Sequence, residues 1–238
     1  MCGLVCLISK LPSKFTKQDI NLFTNLLIAD TIRGKDSTGV FGITEKNNLD
    51  LLKAKQPGYN FTEQKSYKDF EDKALFRYKI MVGHNRSATK GTITDENSHP
   101  FIKDHICLVH NGTLCQHRHL ANVDVDSEAI THALVDKKPE DLIPELNGAF
   151  ALIWYNAIEK KLYLTRNKER PLWIIQTPSI DVIGSEPGML EWLYNRTYNK
   201  QAEAKYFETE KLISYDCTNL SKEFEFTQLK KKTIIYTN

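Results

Sequence analysis

No apolar run in this 238-residue chain approaches the roughly 20 residues that a bilayer-spanning helix needs. The apolar N-terminal stretch, residues 4–8, is also too short for a signal-peptide core, and no basic segment precedes it, so a cytoplasmic protein is expected. Charge of one sign is equally lacking. Lys and Arg number 32 against 30 Asp and Glu, a net charge of +2 that supplies no electrostatic reason to bind nucleic acid or an anionic membrane. The run Lys230-Lys231-Lys232 reads as a solvated patch. Cysteine is scarce and unpatterned: Cys2, Cys6, Cys107, Cys115 and Cys217 make an odd set of five, which fits reduced thiols and not a disulfide framework. There is no Gly-rich phosphate loop of Walker or Rossmann type, so no nucleotide cofactor is expected. The cluster Cys115-Gln116-His117-Arg118-His119 has no second ligand group at zinc-site spacing, so no metal is expected either. Without an internal repeat, a low-complexity tract or a Pro/Gly-rich linker, one domain over residues 2–238 is expected. Its hydrophobic fraction of 41% is ordinary for a chain with a sizeable core.

What is present is an ordered series of short elements. Residues 4–8 read as a buried strand. Thr16 offers a helix N-cap with Asp19 in the first turn, and Ile20, Phe23, Leu26, Leu27 and Ile32 recur at helical spacing until Gly34. Residues 40–44 and 49–53 predict a hairpin through Lys46-Asn47-Asn48, followed by a polar helix over 63–75 and a strand over 79–83. A strand over 106–110 and a helix over 127–135 follow. The second half reads as strands over 149–157, 161–165, 173–176 and 181–184, a helix over 187–194, and two or three short strands, with residues 216–238 as a strand-bearing tail. Strands joined by short turns and interrupted by helices in blocks predict an α+β fold, helices layered on antiparallel sheet.

The second residue carries the most chemistry. An initiator methionine is normally trimmed before a small side chain, which would leave Cys2 at the terminus with a thiol and an α-amine on one residue. The reference pKa of the thiol is about 8.5 and that of the amine about 7.7–8.0, so the amine can act as base to the thiol near neutrality. A first strand beginning at residue 3 or 4 would anchor such a nucleophile, since a frayed terminus cannot aim it.

Other motifs fall at strand or helix ends: Arg33-Gly34-Lys35-Asp36-Ser37-Thr38-Gly39, then Gly83-His84-Asn85-Arg86-Ser87-Ala88-Thr89-Lys90-Gly91, then His110-Asn111-Gly112-Thr113. Taken singly, each has a bland reading. Asn-Gly after a strand is commonly a turn, a lone arginine commonly sits in a surface ion pair, and Asp126 before Ser127 and Glu128 is a possible helix cap.

As an ordered set they resemble the class II glutamine amidotransferases, the N-terminal-nucleophile glutaminase domains. The resemblance runs from Cys2-Gly3 through the three motifs, His99-Pro100-Phe101, Val125-Asp126-Ser127-Glu128, Gly148-Ala149-Phe150 and Arg166…Arg170-Pro171-Leu172 to Ser185-Glu186, nearly the whole of residues 2–215. It implies a four-layer αββα sandwich with two antiparallel sheets between helical layers. It implies Cys2 as nucleophile toward the side-chain amide of L-glutamine, with the Asn111 side chain and the Gly112 N–H as oxyanion donors. Arg86 would hold the α-carboxylate, Asp126 the α-ammonium, and Thr89 would add a hydrogen bond. Arg33, Asp36 and Ser37 would be architectural, Arg33 near the nucleophile, with His84 and His110 in support. The resemblance implies no cofactor. Two positions depart from the pattern: Ser87 stands where many relatives have an aromatic residue, and Lys90 where His is frequent. Residues 55–79 match no motif. Family members that aminate an acceptor carry a second domain after the glutaminase. The chain ends at Asn238 without one, so the ammonia is expected to pass to a separate synthase. Arg86 and Asp126 would equally suit another γ-glutamyl amide; a silent binding module on the same scaffold is a further alternative, against which the intact set Cys2, Arg86, Asn111, Gly112 and Asp126 argues.

Overall fold

The computed structural model describes residues 2–10 and 14–230; Met1, Lys231, Lys232 and the rest of the expected tail through 238 lie outside them. The chain opens on β1 (Gly3–Ser9), all seven residues of which are buried. Burial is total because both faces of the strand are covered. Leu4, Cys6 and Ile8 enter one hydrophobic core, while Val5 and Leu7 enter another.

Helix α1 (Lys17–Ala29) starts with the expected capping box. The Asp19 N–H donates to Thr16 Oγ1 at 3.2 Å, and the Thr16 N–H donates to Asp19 Oδ2 at 2.6 Å. Ile20, Phe23, Leu26 and Leu27 form its buried face. The expected run to Gly34 is not continuous helix. The chain tightens into a 3-10 turn over Asp30–Ile32, and Ile32 is 78% exposed instead of joining the apolar stripe. Three residues per turn instead of 3.6 rotates Ile32 off the buried face.

Strands β2 (Ser37–Thr44) and β3 (Leu49–Ala54) form the expected hairpin, with Asn47 in the left-handed region at its tip. A short α2 (Gly58–Phe61), not expected from sequence, precedes α3 (Lys65–Phe76), which is the expected polar helix, and β4 (Tyr78–Arg86) follows. After β5 (Phe101–Lys103) comes β6 (Ile106–Leu114), then α4 (Asp126–Asp136) and α5 (Pro139–Leu142). Strands β7 (Gly148–Asn156), β8 (Lys161–Arg166), β9 (Trp173–Gln176) and β10 (Ile180–Gly184) lead into α6 (Pro187–Tyr198). Three short strands close the described chain: β11 (Lys205–Tyr206), β12 (Lys211–Asp216) and β13 (Glu225–Gln228).

Two strands run further than expected, into motifs placed at their ends. Gly83–Arg86 completes β4, paired to β1 and β2, and 110–113 lies within β6, paired to β7. In both, backbone pairing continues through residues whose polar side chains suggested a loop.

The strands assemble into two antiparallel sheets, in the orders β11-β9-β10-β1-β4-β2-β3 and β13-β12-β8-β7-β6-β5. Side chains from the facing sheets meet in one core that includes Leu4, Phe41, Val82, Val109, Ile153 and Leu164. A second core packs α1, α3 and α6 on the outer face of the first sheet, and a third packs α4 and α5 on the outer face of the second. The result is an αββα sandwich with β1 near the middle of its sheet. Among the described residues no helix is long and apolar enough to cross a membrane.

Leu4 is fully buried in the inter-sheet core beside the terminus, whereas the Thr16 cap is a surface feature. Leu4→Ala is expected to cost about 2–5 kcal/mol in urea denaturation, against about 1 kcal/mol for Thr16→Ala. Equal costs would contradict the central place given to β1.

Candidate active site

Alternation along three strands aims the site. Even-numbered residues of β1 and β4 point between the sheets, so Cys2, His84 and Arg86 share that side with Leu4 and Val82, while Gly3 and Asn85 face the helices. On β6, odd-numbered Asn111 continues the inner face of Cys107 and Val109, and His110 turns outward to α4. The candidate residues therefore gather at the end of the sandwich where β1 begins.

Cys2 is 7% exposed. Its Sγ donates to the Ser87 carbonyl at 3.4 Å and accepts from the Ser87 N–H at 3.3 Å. Its carbonyl accepts from Arg33 Nε at 3.0 Å, and Arg33 Nη1 pairs with Glu186. Burial pushes the thiol pKa up, while the Ser87 N–H and the nearby Arg86 charge pull it back. A thiol in this setting needs a local base.

Arg86 and Asp126 bring opposite charges to the same cavity as Cys2. Arg86 is 2% exposed and donates to the Lys90 carbonyl at 2.7 Å and the Thr92 carbonyl at 3.2 Å, which leaves it without a carboxylate partner at ion-pair distance among the described residues. Its pKa is lowered by burial, opposed by Cys2, Asp36 and Asp126. Asp126 opens α4 and is 3% exposed. Its Oδ2 accepts from the Leu114 N–H at 2.7 Å and its Oδ1 from the Ser127 N–H at 3.0 Å. It is thus tied to β6 as well as to its own helix; Val125, not Asp126, is the N-cap of α4, so the cap reading open from sequence does not hold.

The segment after β4 folds over these groups. Asp36 Oδ2 accepts from the Ala88 N–H at 2.7 Å, and Thr89 Oγ1 lies 2.9 Å from Thr113 Oγ1. Lys90 Nζ donates to the Leu114 carbonyl at 2.6 Å and lies 3.4 Å from His117 Nδ1. Cys2, Arg86, Ser87, Thr89, Lys90, His99, His110, Gly112, Val125, Asp126 and Ser127 enclose a cavity of about 10 Å³, room for about one water. A cavity of about 260 Å³ lies at the other end of β1, around Lys10, Lys14 and Lys79, and one of about 470 Å³ lies around Lys14, Thr44 and Arg77; neither holds any of these residues. Size alone would have misplaced the site.

Asn111, Arg33, Asp36, Ser37 and His84 stand behind the cavity wall and do not line it. Asn111 is fully buried, with Nδ2 donating to Ser185 Oγ at 3.3 Å and Oδ1 unpartnered. Ser185 Oγ also accepts from the Leu4 N–H at 3.0 Å, so one hydroxyl joins β1 to Asn111. Gly112 has no space for a side chain: a Cβ there would lie 1.9 Å from the Ala149 carbonyl oxygen. Ser37 Oγ is buried without a partner.

Three buried histidines underlie the cavity. His84 Nε2 lies 3.0 Å from the His110 carbonyl and therefore carries the proton there. His110 Nδ1 lies 3.0 Å from Ser127 Oγ, and the His99 ring lies 3.8 Å from that of His84. Burial is the first cause that lowers all three pKa values, that of His84 to about 3. All three are neutral at pH 7 and packed beneath the cavity. Ser127, Ser185 and His99 entered the sequence reading only inside motifs, without roles, and Asp30 not at all. Among the described residues no three His, Cys, Asp or Glu side chains group to hold a metal; Cys115 is exposed, and His117 Nε2 is 2.9 Å from the Val123 carbonyl.

Residues 84–191 match a family model described as a glutamine amidotransferase domain. Glutamine–fructose-6-phosphate aminotransferase (isomerizing) of Francisella tularensis subsp. tularensis is 33% identical over 144 residues, covering 56% of this chain and 22% of that protein. The enzyme of the same name from Sulfolobus acidocaldarius is 26% identical over 238 aligned residues, covering 91% of this chain and 38% of its own. The chain therefore spans well under half the length of these relatives. Glutamine phosphoribosylpyrophosphate amidotransferase from B. subtilis shares the fold with a TM-score of 0.72 at 16% identity, over 97% of this chain and 50% of that one.

The buried His84 has a stability signature. Because its folded pKa is depressed, the unfolded state binds one more proton between pH 6.5 and about 3, and stability falls as pH drops through that window by up to about 1.4 kcal/mol per pH unit. Buried Asp30 and Asp181, whose pKa values are raised, act in the opposite sense, so the contrast with a variant isolates the histidine. In urea denaturation, His84→Gln is expected to gain on the wild type steadily from pH 6.5 to 4.5. A constant difference between the two would contradict a neutral buried His84.

Proposed function

The chain carries a class II glutamine amidotransferase domain, of the enzymes that work through an N-terminal cysteine, and we propose that it hydrolyses L-glutamine to glutamate and ammonia at Cys2. The observation that carries this reading is the convergence of three groups on one cavity: the Cys2 thiol, the Arg86 guanidinium and the Asp126 carboxylate. An amino-acid head group needs one cation and one anion, and a planar guanidinium suits a bidentate carboxylate.

In this mechanism Met1 is removed and the α-amine of Cys2 takes the thiol proton. The thiolate attacks the side-chain amide carbon of glutamine, and the C–N bond breaks as the α-ammonium returns its proton to the leaving nitrogen. Ammonia departs and a γ-glutamyl thioester remains. Water, deprotonated by the same amine, attacks the thioester, and glutamate leaves as the thiol is restored. The tetrahedral oxyanion of each step takes its hydrogen bonds from the Asn111 amide and the Gly112 N–H. The Ser185 bridge between Asn111 and β1 supports this by holding donor and nucleophile in one frame. A cavity of about 10 Å³ does not hold glutamine, so the segment over Arg86 that carries Thr89 and Lys90 must shift as substrate enters. The carbonyls of Lys90 and Thr92 then release Arg86 to the substrate carboxylate.

Ammonia and glutamate release from glutamine by the chain trimmed to Cys2 tests this. Cys2→Ala is expected to abolish turnover. Asn111→Ala should lower kcat by about 10²–10³-fold, and Arg86→Leu should act mainly on KM, lowering kcat/KM by about 10–100-fold. Ammonia release that survives in Cys2→Ala would overturn the assignment. Faster cleavage of γ-glutamyl amides of larger amines than of glutamine would move it to a different amidohydrolase.

We also propose that the ammonia passes to an acceptor enzyme, as the amination named for the relatives suggests. Affinity capture with the tagged chain should recover an enzyme that aminates its substrate with ammonium alone, and with glutamine only when this chain is present. Full turnover with no such partner recovered would contradict it.

A further inference from the structure

Asp30 follows the apolar stripe of α1 with a carboxyl that the reaction above does not use. It is 1% exposed and held from three sides. From β1, Gly3 turns its missing side chain toward it: a Cβ on Gly3 would lie 1.6 Å from Asp30 Oδ2, so the carboxyl rests directly on the backbone next to the nucleophile. From β4, Asn85 Nδ2 donates to Oδ2 at 3.3 Å and to the Leu27 carbonyl at 2.8 Å. From its own turn, Arg33 Nε lies 3.9 Å from Oδ1 while donating to the Cys2 carbonyl at 3.0 Å.

The charged groups that face Asp30 are Arg33 and, beyond it, Glu186 at the start of α6. The other elements packed here present neutral groups: the Asn85 amide from β4, backbone from β1, and Gly58 of α2 against Thr31. Burial is the main influence on the carboxyl and pushes its pKa up to about 7, with Asn85 and Arg33 pulling it down and Glu186 pushing it up.

Distance makes this matter. Oδ2 is about 3 Å from the Gly3 Cα, and standard backbone geometry puts the Cys2 nitrogen no more than about 5 Å beyond that atom. We propose that Asp30 is a positioning residue for the nucleophile, its carboxylate seated on Gly3 and setting the proton affinity of the Cys2 α-amine and thiol. This rests on the reading of the α-amine as base. An ionised carboxylate stabilises the ammonium and opposes the thiolate, so both groups give up their protons at higher pH than they otherwise would. Two unit charges about 7 Å apart at an effective dielectric constant of about 20 couple by about one to two pH units. Asp30 ionises in the same range as the amine, and the two titrate as a pair.

The test uses the chain trimmed to Cys2, verified by mass, with Asp30→Asn and Asp30→Ala beside the wild type. The alanine variant leaves one Asn85 Nδ2 hydrogen on the Leu27 carbonyl and frees the other, whereas the asparagine variant keeps an acceptor oxygen beside it, so the pair separates lost charge from lost hydrogen bonding. The rate of Cys2 alkylation by iodoacetamide and kcat/KM for glutamine are each followed against pH. The acid-side midpoint of both profiles is expected to fall by about one pH unit in either variant. Unchanged midpoints, whatever happens to the melting temperature, would reduce Asp30 to a structural role and overturn the proposal, as would failure of both variants to fold. The alkylation arm needs no turnover. A shifted alkylation midpoint in the variants, beside a wild type that releases no ammonia, overturns the glutaminase reading and leaves the role of Asp30 standing.

Discussion

A nucleophile at a chain terminus is useful only if the strand behind it cannot fray, and the pairing of β1 meets that condition. β10 and β4 bond its two edges, and both of its faces are covered by core. Cys2 begins directly before this strand, with its sulfur against Ser87 at the end of the neighbouring β4 and its carbonyl fixed by Arg33. Opening the terminus would therefore disturb two ladders and two cores together.

The electrostatics of the site follow from that burial. A thiol, three histidines, an arginine and an aspartate share a nearly dry sandwich end. The histidines respond by staying neutral. Arg86 lies against backbone carbonyls and Asp126 against backbone N–H groups, the polarity each side chain can use. Among the described residues only the Ser87 backbone bonds the thiol, and in the proposed mechanism activation falls to the one nitrogen that the cysteine itself carries.

Much of this was legible in the chain. Apolar period marked β1 and α1, the Thr16 and Asp19 pair marked the helix start, and the motif order pointed to the family and its αββα layers. The β6 boundary was not legible, because His110, Asn111 and Gly112 look like a turn while their backbone continues to pair with β7. The end of α1 was misread because Ile32 keeps helical spacing in sequence, whereas the 3-10 turn carries it to the surface. Asp30, Ser127 and Ser185 were unreadable as parts of the site for another reason. Each acts through a partner distant in sequence, respectively Gly3, His110 and Asn111, and no local pattern encodes such a meeting.

The account stands or falls on a bond to one sulfur. Rapid acid quench of the trimmed chain during turnover of isotopically labelled glutamine, followed by peptide mass mapping, reads that bond directly. A labelled γ-glutamyl group on the peptide that begins at Cys2 is the predicted result. Label on another residue, or none while ammonia accumulates, would contradict it.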